Sequence, residues 1–427
     1  RQGSGTSPGR ACAAPPQAEL TAKQHRFGKP MTHTGGEDMS LLARATGRHR
    51  RALSLAAVGA AVGLIAAGCG SSSSSSTGGS SGGGSATNAA ATTAGANLSA
   101  AQAIVAHALQ RPTSISVTKP IGKPVPSGKK IVFISCGASS CELQGKIVAQ
   151  GAALLGWTSS SISTNGTPAA IQAAYETAIR QGADAIVTTA ALRAELEAQI
   201  PKLIAKGIPV ADASSTDPVS APFIYNTSTA PQNVRIAKYL AAEIVADSKG
   251  KANALYVNLP AYTILAPLGA AFASDLKQLC STCSVASIGV PLTQLSNASS
   301  LIVSYLRSHP SVNYVALSVA DALDPGLPAA LSAAGLSKVK IVGESGGPTE
   351  FGYVANGQEL ALVPYDYYSV DYQMLDSLAR HFAGVPVQMT APPLWLITKS
   401  TLPASHSAVF PMVANYQSEF QKLWGKG

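Results

Sequence analysis

The sequence predicts an α/β protein of two doubly wound, mainly parallel-sheet lobes, joined by a hinge with a cleft between them. Three observations carry that expectation. From Lys129 onward, short runs rich in Val and Ile alternate with longer stretches of helical period, the pattern of consecutive β-α units. Most of the runs are apolar without alternation, which implies strands buried on both faces and linked by right-handed crossovers. The runs are also too numerous for one core over about 300 residues, so two lobes are the economical arrangement.

In chain order the strand runs are IVFIS (131–135), SSSIST (159–164), AIVTT (185–189), IPVAD (208–212), ALYVN (254–258), SVASIG (284–289), YVALS (314–318), VKIVG (339–343) and LALVP (360–364). Helical period occupies 144–155, 168–181, 194–206, 231–248, 264–279, 298–308, 326–334 and 368–382, with a shorter stretch at 100–109. Thr167-Pro168 supplies a capping residue and a proline at the first helical position, and Pro231 does the same after Thr229-Ala230. Gly182, Gly207, Gly335 and Gly384 fall where helices should stop. The break between lobes is expected near 230–252.

Composition sets the limits on function. Of 427 residues, 46% are hydrophobic and only 12% charged, against roughly 25% charged in an average globular chain. Bulk disorder is excluded, and a bland surface is expected. The net charge of +9 is concentrated at the start: residues 1–68 hold nine Lys/Arg against three Asp/Glu, leaving a surplus of three for the rest. So small a surplus, without basic runs or interleaved aromatics, excludes nucleic acid as a partner. One segment approaches transmembrane length and it lies near the N-terminus, so a multi-span membrane protein is excluded as well.

From Met39 a basic stretch ending Arg48-His49-Arg50-Arg51 leads into an apolar run at 52–67 and then Gly68-Cys69. Residues 39–68 are read as an export signal peptide. Ala66, Ala67 and Gly68 before Cys69 resemble the bacterial lipobox, so Cys69 is expected to be acylated and to anchor the mature chain to the extracytoplasmic face of the cell membrane. Residues 1–38 have the character of translated upstream sequence. Residues 69–128 begin with a Ser/Gly tract and continue Ala/Thr-rich, a composition expected to form a tether reaching about 40 Å.

Cys12 falls in the discarded segment, leaving Cys136, Cys141, Cys280 and Cys283, which allow three pairings. An oxidising exterior favours the local pairs Cys136–Cys141 and Cys280–Cys283. A zinc cage built from both pairs would have to bring together residues far apart in the chain, and neither a metal nor a cofactor is expected. Cys280 and Cys283 close a helical stretch, where the dipole does not lower a thiol pKa, so redox catalysis is not expected.

Longer stretches carry a resemblance. KKIVFIS with a helix ending ALLGW, then TPAAIQAAYETAIRQGADAIVTT, then LIAKGIPVADASS, resembles the N-terminal lobe of type I periplasmic binding proteins, specifically the ribose/galactose-type sugar-binding family. NALYVN and its helix, followed by VNYVALSVADALDPG and the stretch to HFAGVPV, resembles that family's second lobe and its return to the first. The likeness covers about 130–425. It implies an N-terminal lobe of 129–235 with 366–390 and a C-terminal lobe of 236–365 with 391–427. It further implies a monomer that closes on a small-molecule solute and delivers it to an ABC transporter permease.

Compared position by position, the chain keeps some of the family's contacts and loses others. Ser135 matches a polar contact, Ser139 stands near an Asn position, and Cys141-Glu142 replaces the stacking aromatics. The family's Asp-Arg pair appears as Ala213-Ser214, with Asp212 one place earlier. The Arg expected after ALYVN is missing from 262–268, where Tyr262 stands. Asp321 is kept, the acid of the next strand end becomes Glu344, and the Gln after the return strand becomes Tyr365. The candidate ligand contacts are therefore Ser135, Ser139, Glu142, Asp212, Ser214, Tyr262, Asp321, Glu344 and Tyr365. Loss of the Asp-Arg pair removes the bidentate charged hydrogen bonds that suit a ring of hydroxyls. A less hydroxylated ligand is expected, with Tyr262, Tyr365, Tyr367 and Tyr368 offering aromatic faces and hydroxyl handles.

Other function classes were weighed on the same residues. GESGG at 343–347 has the G-x-S-x-G spacing of a hydrolase elbow around Ser345, a short and weak signal by itself, and His309, His381 and His406 lie in helical stretches or the distal tail. An exported hydrolase is thus an alternative and an enzyme is not expected. A receptor signalling to a membrane partner uses the same lobes, and residues alone do not separate it from transport. A repressor would need a helix-turn-helix where the Ser/Gly tract lies.

Overall fold

The computed structural model describes residues 96–137 and 139–427. The described chain opens on α1 (Leu98–Ala108), whose Asn97 side chain accepts from the amide of Ala100. In the N-terminal lobe, β1 (Lys130–Ile134), β2 (Thr158–Ile162), β3 (Ala185–Thr188), β4 (Val210–Ala213) and β5 (Phe223–Thr227) lie in the order β2-β1-β3-β4-β5, all parallel. Their crossovers include α2 (Ser139–Leu154), α3 (Pro168–Arg180) and α4 (Ile200–Lys206). The unbroken apolar strands are explained by cover on both faces. Ile131 and Phe133 enter a core shared with α2, while Val132 and Ile134 enter one shared with α3 and α4. Thr167 caps α3 by accepting from Ala170 N, and Gly207 ends α4 at φ +64°, a left-handed turn that glycine adopts without steric cost.

The long helix α5 (Ala230–Ser248) opens the C-terminal lobe. Strands β6 (Asn253–Asn258), β7 (Ser284–Gly289), β8 (Tyr314–Leu317), β9 (Lys340–Glu344), β10 (Ala361–Val363) and β11 (Ile397–Thr398) follow, in the order β11-β10-β9-β8-β6-β7. All pair parallel except β11, which runs antiparallel to β10. Between them lie α6 (Ala266–Leu279), α7 (Ala298–Ser308), α8 (Ala320–Leu323), α9 (Leu327–Ala333) and α10 (Pro348–Asn356). The chain returns through α11 (Tyr367–Phe382), buried along nearly its whole length against α2 and the N-terminal sheet, and ends in α12 (Tyr416–Leu423). The two doubly wound lobes expected from the sequence are the ones observed. No described helix is long and apolar enough to cross a membrane.

The structure differs from the sequence expectation at both ends of the body. Residues 98–128, assigned to the tether, are packed onto it. Ala101 and Ala108 of α1 are buried in the core that holds α5, and Ile115, Val117, Ile121 and Val125 are buried in the N-terminal-lobe core. Backbone bonds fix this arm: Leu396 N donates to Ala108 O at 2.9 Å and Ile121 N to Leu423 O at 2.9 Å. Within 391–427, assigned to the C-terminal lobe, Leu394–Ile397 do enter that core, but Val413, Tyr416, Phe420 and Trp424 pack in the N-terminal lobe. Helix α5 belongs to the C-terminal core from Ile236 onward, while Tyr225 and the rest of β5 stay with the first lobe. Strands β5 and β11 were not anticipated: β5 follows directly on Pro222 and ends in Asn226 and Thr227, and β11 has only two residues. Segments 1–38 and 39–68, Cys69 and the tether up to 95 lie outside the described residues.

Candidate functional site

Parallel strands of both sheets end at one place. A cavity of about 210 Å³ opens there, lined from the N-terminal lobe by residues following β1, β3, β4 and β5 and from the C-terminal lobe by residues following β8, β9 and β10. Ligands of doubly wound sheets sit at this carboxyl edge, where strand order reverses and the loops part. Here two such edges share one space.

Four lining residues adopt the left-handed backbone conformation that side chains disfavour: Ala190 (φ +58°), Ser214 (φ +59°), Ser228 (φ +54°) and Ser345 (φ +67°). Each lies one or two residues past a strand, β3, β4, β5 and β9 in turn. Three of them extend the sheet by one bond as they turn: Ala190 N donates to Ala213 O at 2.7 Å, Ser214 N to Thr227 O at 2.9 Å, and Ser345 N to Val363 O at 3.0 Å. Such turns are worth roughly 1–2 kcal/mol of strain apiece, and strain of this kind concentrates where a side chain must be aimed.

The candidate residues divide cleanly. Ser214, Tyr262, Asp321, Glu344 and Tyr365 line the cavity. Ser214 Oγ and Tyr365 OH lie 3.0 Å apart in a hydrogen bond, joining the turn after β4 to the return strand's end. Tyr262 stands 41% exposed. Ser135, Glu142 and Asp212 are not among the lining residues. Ser135 Oγ donates to Glu142 Oε1 at 3.2 Å and Ser163 Oγ to the same oxygen at 3.1 Å, so that acid binds the loop after β2. Asp212 Oδ1 accepts from Ala213 N at 2.8 Å, and its buried carboxyl lies on the side of Tyr175 in α3. Ser139 begins α2; its side chain lies outside the described residues. Cys136 is disulfide-bonded to Cys141, and Cys280 to Cys283; the first pair lines the cavity, the second follows α6.

Tyr367, expected as an aromatic face, lines the cavity while Tyr368 does not, and residues outside the nine candidate contacts complete the wall. Gln144, Thr189, Ser228, Gln232, Asn233, Ser345 and Tyr367 are polar members, with Ile236, Ile264, Leu265 and Val319 the apolar ones. Asn233 Nδ2 donates to Ile264 O at 2.6 Å, pinning α5 to the turn that precedes α6. Ser228, Gln232 and Asn233 follow β5, whose run FIYNT ends in polar residues and carries no unbroken apolar signal.

Electrostatically the cavity is one-sided. Burial, then the nearby Asp321 charge, hold the Glu344 carboxyl well above the usual carboxylate range, and burial raises Asp321 against the opposing hydrogen bond from Ser345. No Lys, Arg or His is among the lining residues. The described residues contain no group of three or more His, Cys, Asp or Glu able to hold a metal. Chemically the arrangement can enclose a small molecule and meet it with acceptors, aromatic faces and aliphatic surface.

Residues 140–385 match the family model described as periplasmic binding protein domain. No curated protein matches the chain. Among solved structures it is similar to a glucose-galactose binding protein from Geobacillus stearothermophilus, at 20% identity and TM-score 0.57, covering 65% of this chain and 100% of that one. It is similar also to an ABC transporter solute binding protein from Agrobacterium vitis with bound allitol, at 20% identity and TM-score 0.57, covering 65% and 97%. A third is a 5-methylthioribose transporter solute binding protein from Thermotoga lettingae in complex with 5-methylthioribose, at 20% identity and TM-score 0.57, covering 73% and 100%.

Proposed function

Because the chain belongs to the periplasmic binding protein family, whose members work outside the cytoplasm, we propose that it captures a small organic solute by lobe closure and delivers it to an ABC transporter permease. A lipid on Cys69 would keep it beside that permease on the outer face of the membrane. The observation that carries the reading is the shared cavity: its walls come from the strand ends of both lobes, so a guest there contacts each half and favours the closed arrangement. Solutes named for the structural neighbours, a glucose-galactose pair, allitol and 5-methylthioribose, are small polyhydroxylated molecules and one thio-substituted relative. Ser214 bonded to Tyr365, in place of a charged pair, and the aliphatic wall support a guest with fewer hydroxyls than a hexose. Ser345, the central serine of the G-x-S-x-G match at 343–347, meets Asp321 and Tyr367, and no histidine is among the lining residues.

Thermal-shift screening of the full chain against sugars, polyols, nucleosides and aromatic acids tests this. A solute at 100 times its dissociation constant adds about 2.7 kcal/mol to folded-state stability, a readily measured rise in Tm. Turnover of an ester or glycoside, with no solute raising the Tm, would transfer the protein to the hydrolases.

A further inference from the structure

We propose that the solute carries a cationic nitrogen, an ammonium or amidinium, which docks against Glu344 and Asp321; this rests on the reading of the cavity as a solute-capture site. The polar atoms left open on these walls are mainly carboxylate and amide oxygens, together with the Ser228 hydroxyl. Glu344, at the end of β9, is 6% exposed and lines the cavity, and its carboxylate has no hydrogen-bond or ion-pair partner among the described residues. Asp321 Oδ1 on α8 and Gln232 Oε1 on α5 are buried and likewise unpartnered. With no Lys, Arg or His in the lining, no described side chain there supplies a counter-charge; the donors present, such as Ser345 beside Asp321, are neutral.

A neutral guest leaves two carboxyls shut away from water, and they can then stay uncharged only by keeping their protons. A nitrogen cation between them provides opposite charge and several N–H donors at once, the pairing that gives the strongest hydrogen bonds in proteins. The surroundings suit such a group. The rings of Tyr365 and Tyr367 lie 4.8 Å apart beside the acids, and aromatic faces attract cations by their quadrupole. Ile264, Leu265 and Val319 offer the rest of the guest an aliphatic wall.

Protonation gives an independent signature. The titratable groups facing Glu344 are Asp321, Tyr256 and Tyr365, acids without exception, and burial together with Asp321 keeps its proton on well above the usual range. A cation favours the ionised form, so binding should expel a proton and tighten as pH rises.

The test is calorimetric titration of the full chain with matched probes: glucosamine against glucose and tyramine against 4-(2-hydroxyethyl)phenol, extended to amidines and diamines with their neutral isosteres. The expected result is a cation that binds at least tenfold tighter than its neutral partner, with heat that varies with buffer ionisation enthalpy because a proton is released. Glu344→Gln should then weaken that cation at least tenfold, and Asp321→Asn serves as second variant, each checked by circular dichroism for folding. A neutral probe binding as tightly as its cation, with no proton release and no response to Glu344→Gln, overturns the cation assignment while leaving solute capture standing. No binding in either arm overturns both.

Discussion

Asp324 is a buried acid with no base to meet it. It is fully buried at the end of α8 beside Glu359, and as ionised carboxylates the two offer each other only acceptors, so a proton held on one of them supplies the hydrogen bond between them. Burial, then the charge of Glu350, pushes Asp324 up to about 7, and Glu359 is held well above its ordinary range by burial and by Asp324. An acid with a raised folded-state pKa holds its proton preferentially in the native protein. Its contribution is complete below an unfolded value of about 4 and is lost as pH rises through about 7. Urea unfolding is therefore expected to show stability declining between pH 5 and 8.5. Asp324→Asn should flatten that decline and gain on the order of 1–3 kcal/mol at the alkaline end. A wild-type-to-variant difference that stays constant with pH would show that the pair does not titrate. Candidate site residues misfired for a related, local reason. A strand directs alternate side chains to opposite faces, so Asp212 points toward α3. Ser214, two residues on, would share that face in an extended chain, but its left-handed turn carries it into the cavity. The acids Asp321 and Glu344 were legible as charge at a strand end; the turns that aim Ser214 and Ser345 are not written in residue type.

Between elements, the difference between expectation and structure is concentrated in residues 98–128. Sequence periodicity marks the strands and helices of the two lobes, β5 and β11 apart, because each repeats an apolar pattern over several turns or along one strand. Beyond α1 the arm has no such period: Ile115, Val117, Ile121 and Val125 are single apolar residues among Pro, Ser and Lys, and all four are buried in the core that holds Trp424. Further bonds hold it in place. Arg111 donates to Met412 O and Pro411 O, both at 3.0 Å, and stacks over Trp395; Trp157 Nε1 donates to Pro126 O at 2.7 Å. Ile121→Ala is thus expected to destabilise by about 2–4 kcal/mol, the range for deleting a buried branched side chain. Chemical denaturation measures it, and a change within about 0.5 kcal/mol, ordinary for a surface site, would return the segment to the role of a tether.

At the scale of the molecule, the arm and the chain's end make the lobes interdependent. The N-terminal core is completed by residues 115–125 and 413–424 together with α11, so the lobe is assembled from three distant parts of the chain. Arg380 and Asp376 of α11 form a buried ion pair at 2.6 Å, with Trp424 Nε1 donating to Asp376 Oδ1 at 3.0 Å. The C-terminal core in turn holds α1 at the chain's start and Leu394–Ile397 near its end. Lobes completed this way are expected to move mainly in their relative arrangement about the cavity, so a guest should report itself at both edges simultaneously. Amide hydrogen exchange on the full chain reads this directly. The amides of Ala190 and Ser214 close the first sheet's edge and that of Ser345 closes the second, each through one bond at the cavity wall. On addition of a bound solute, protection is expected to rise at 189–190, 214–215 and 344–345 with the same concentration dependence. Enclosure excludes water from both walls in one step, whereas adsorption to one lobe leaves the other free to open. Protection confined to a single edge would mean that the lobes do not act as a clamp, however tightly the solute is held.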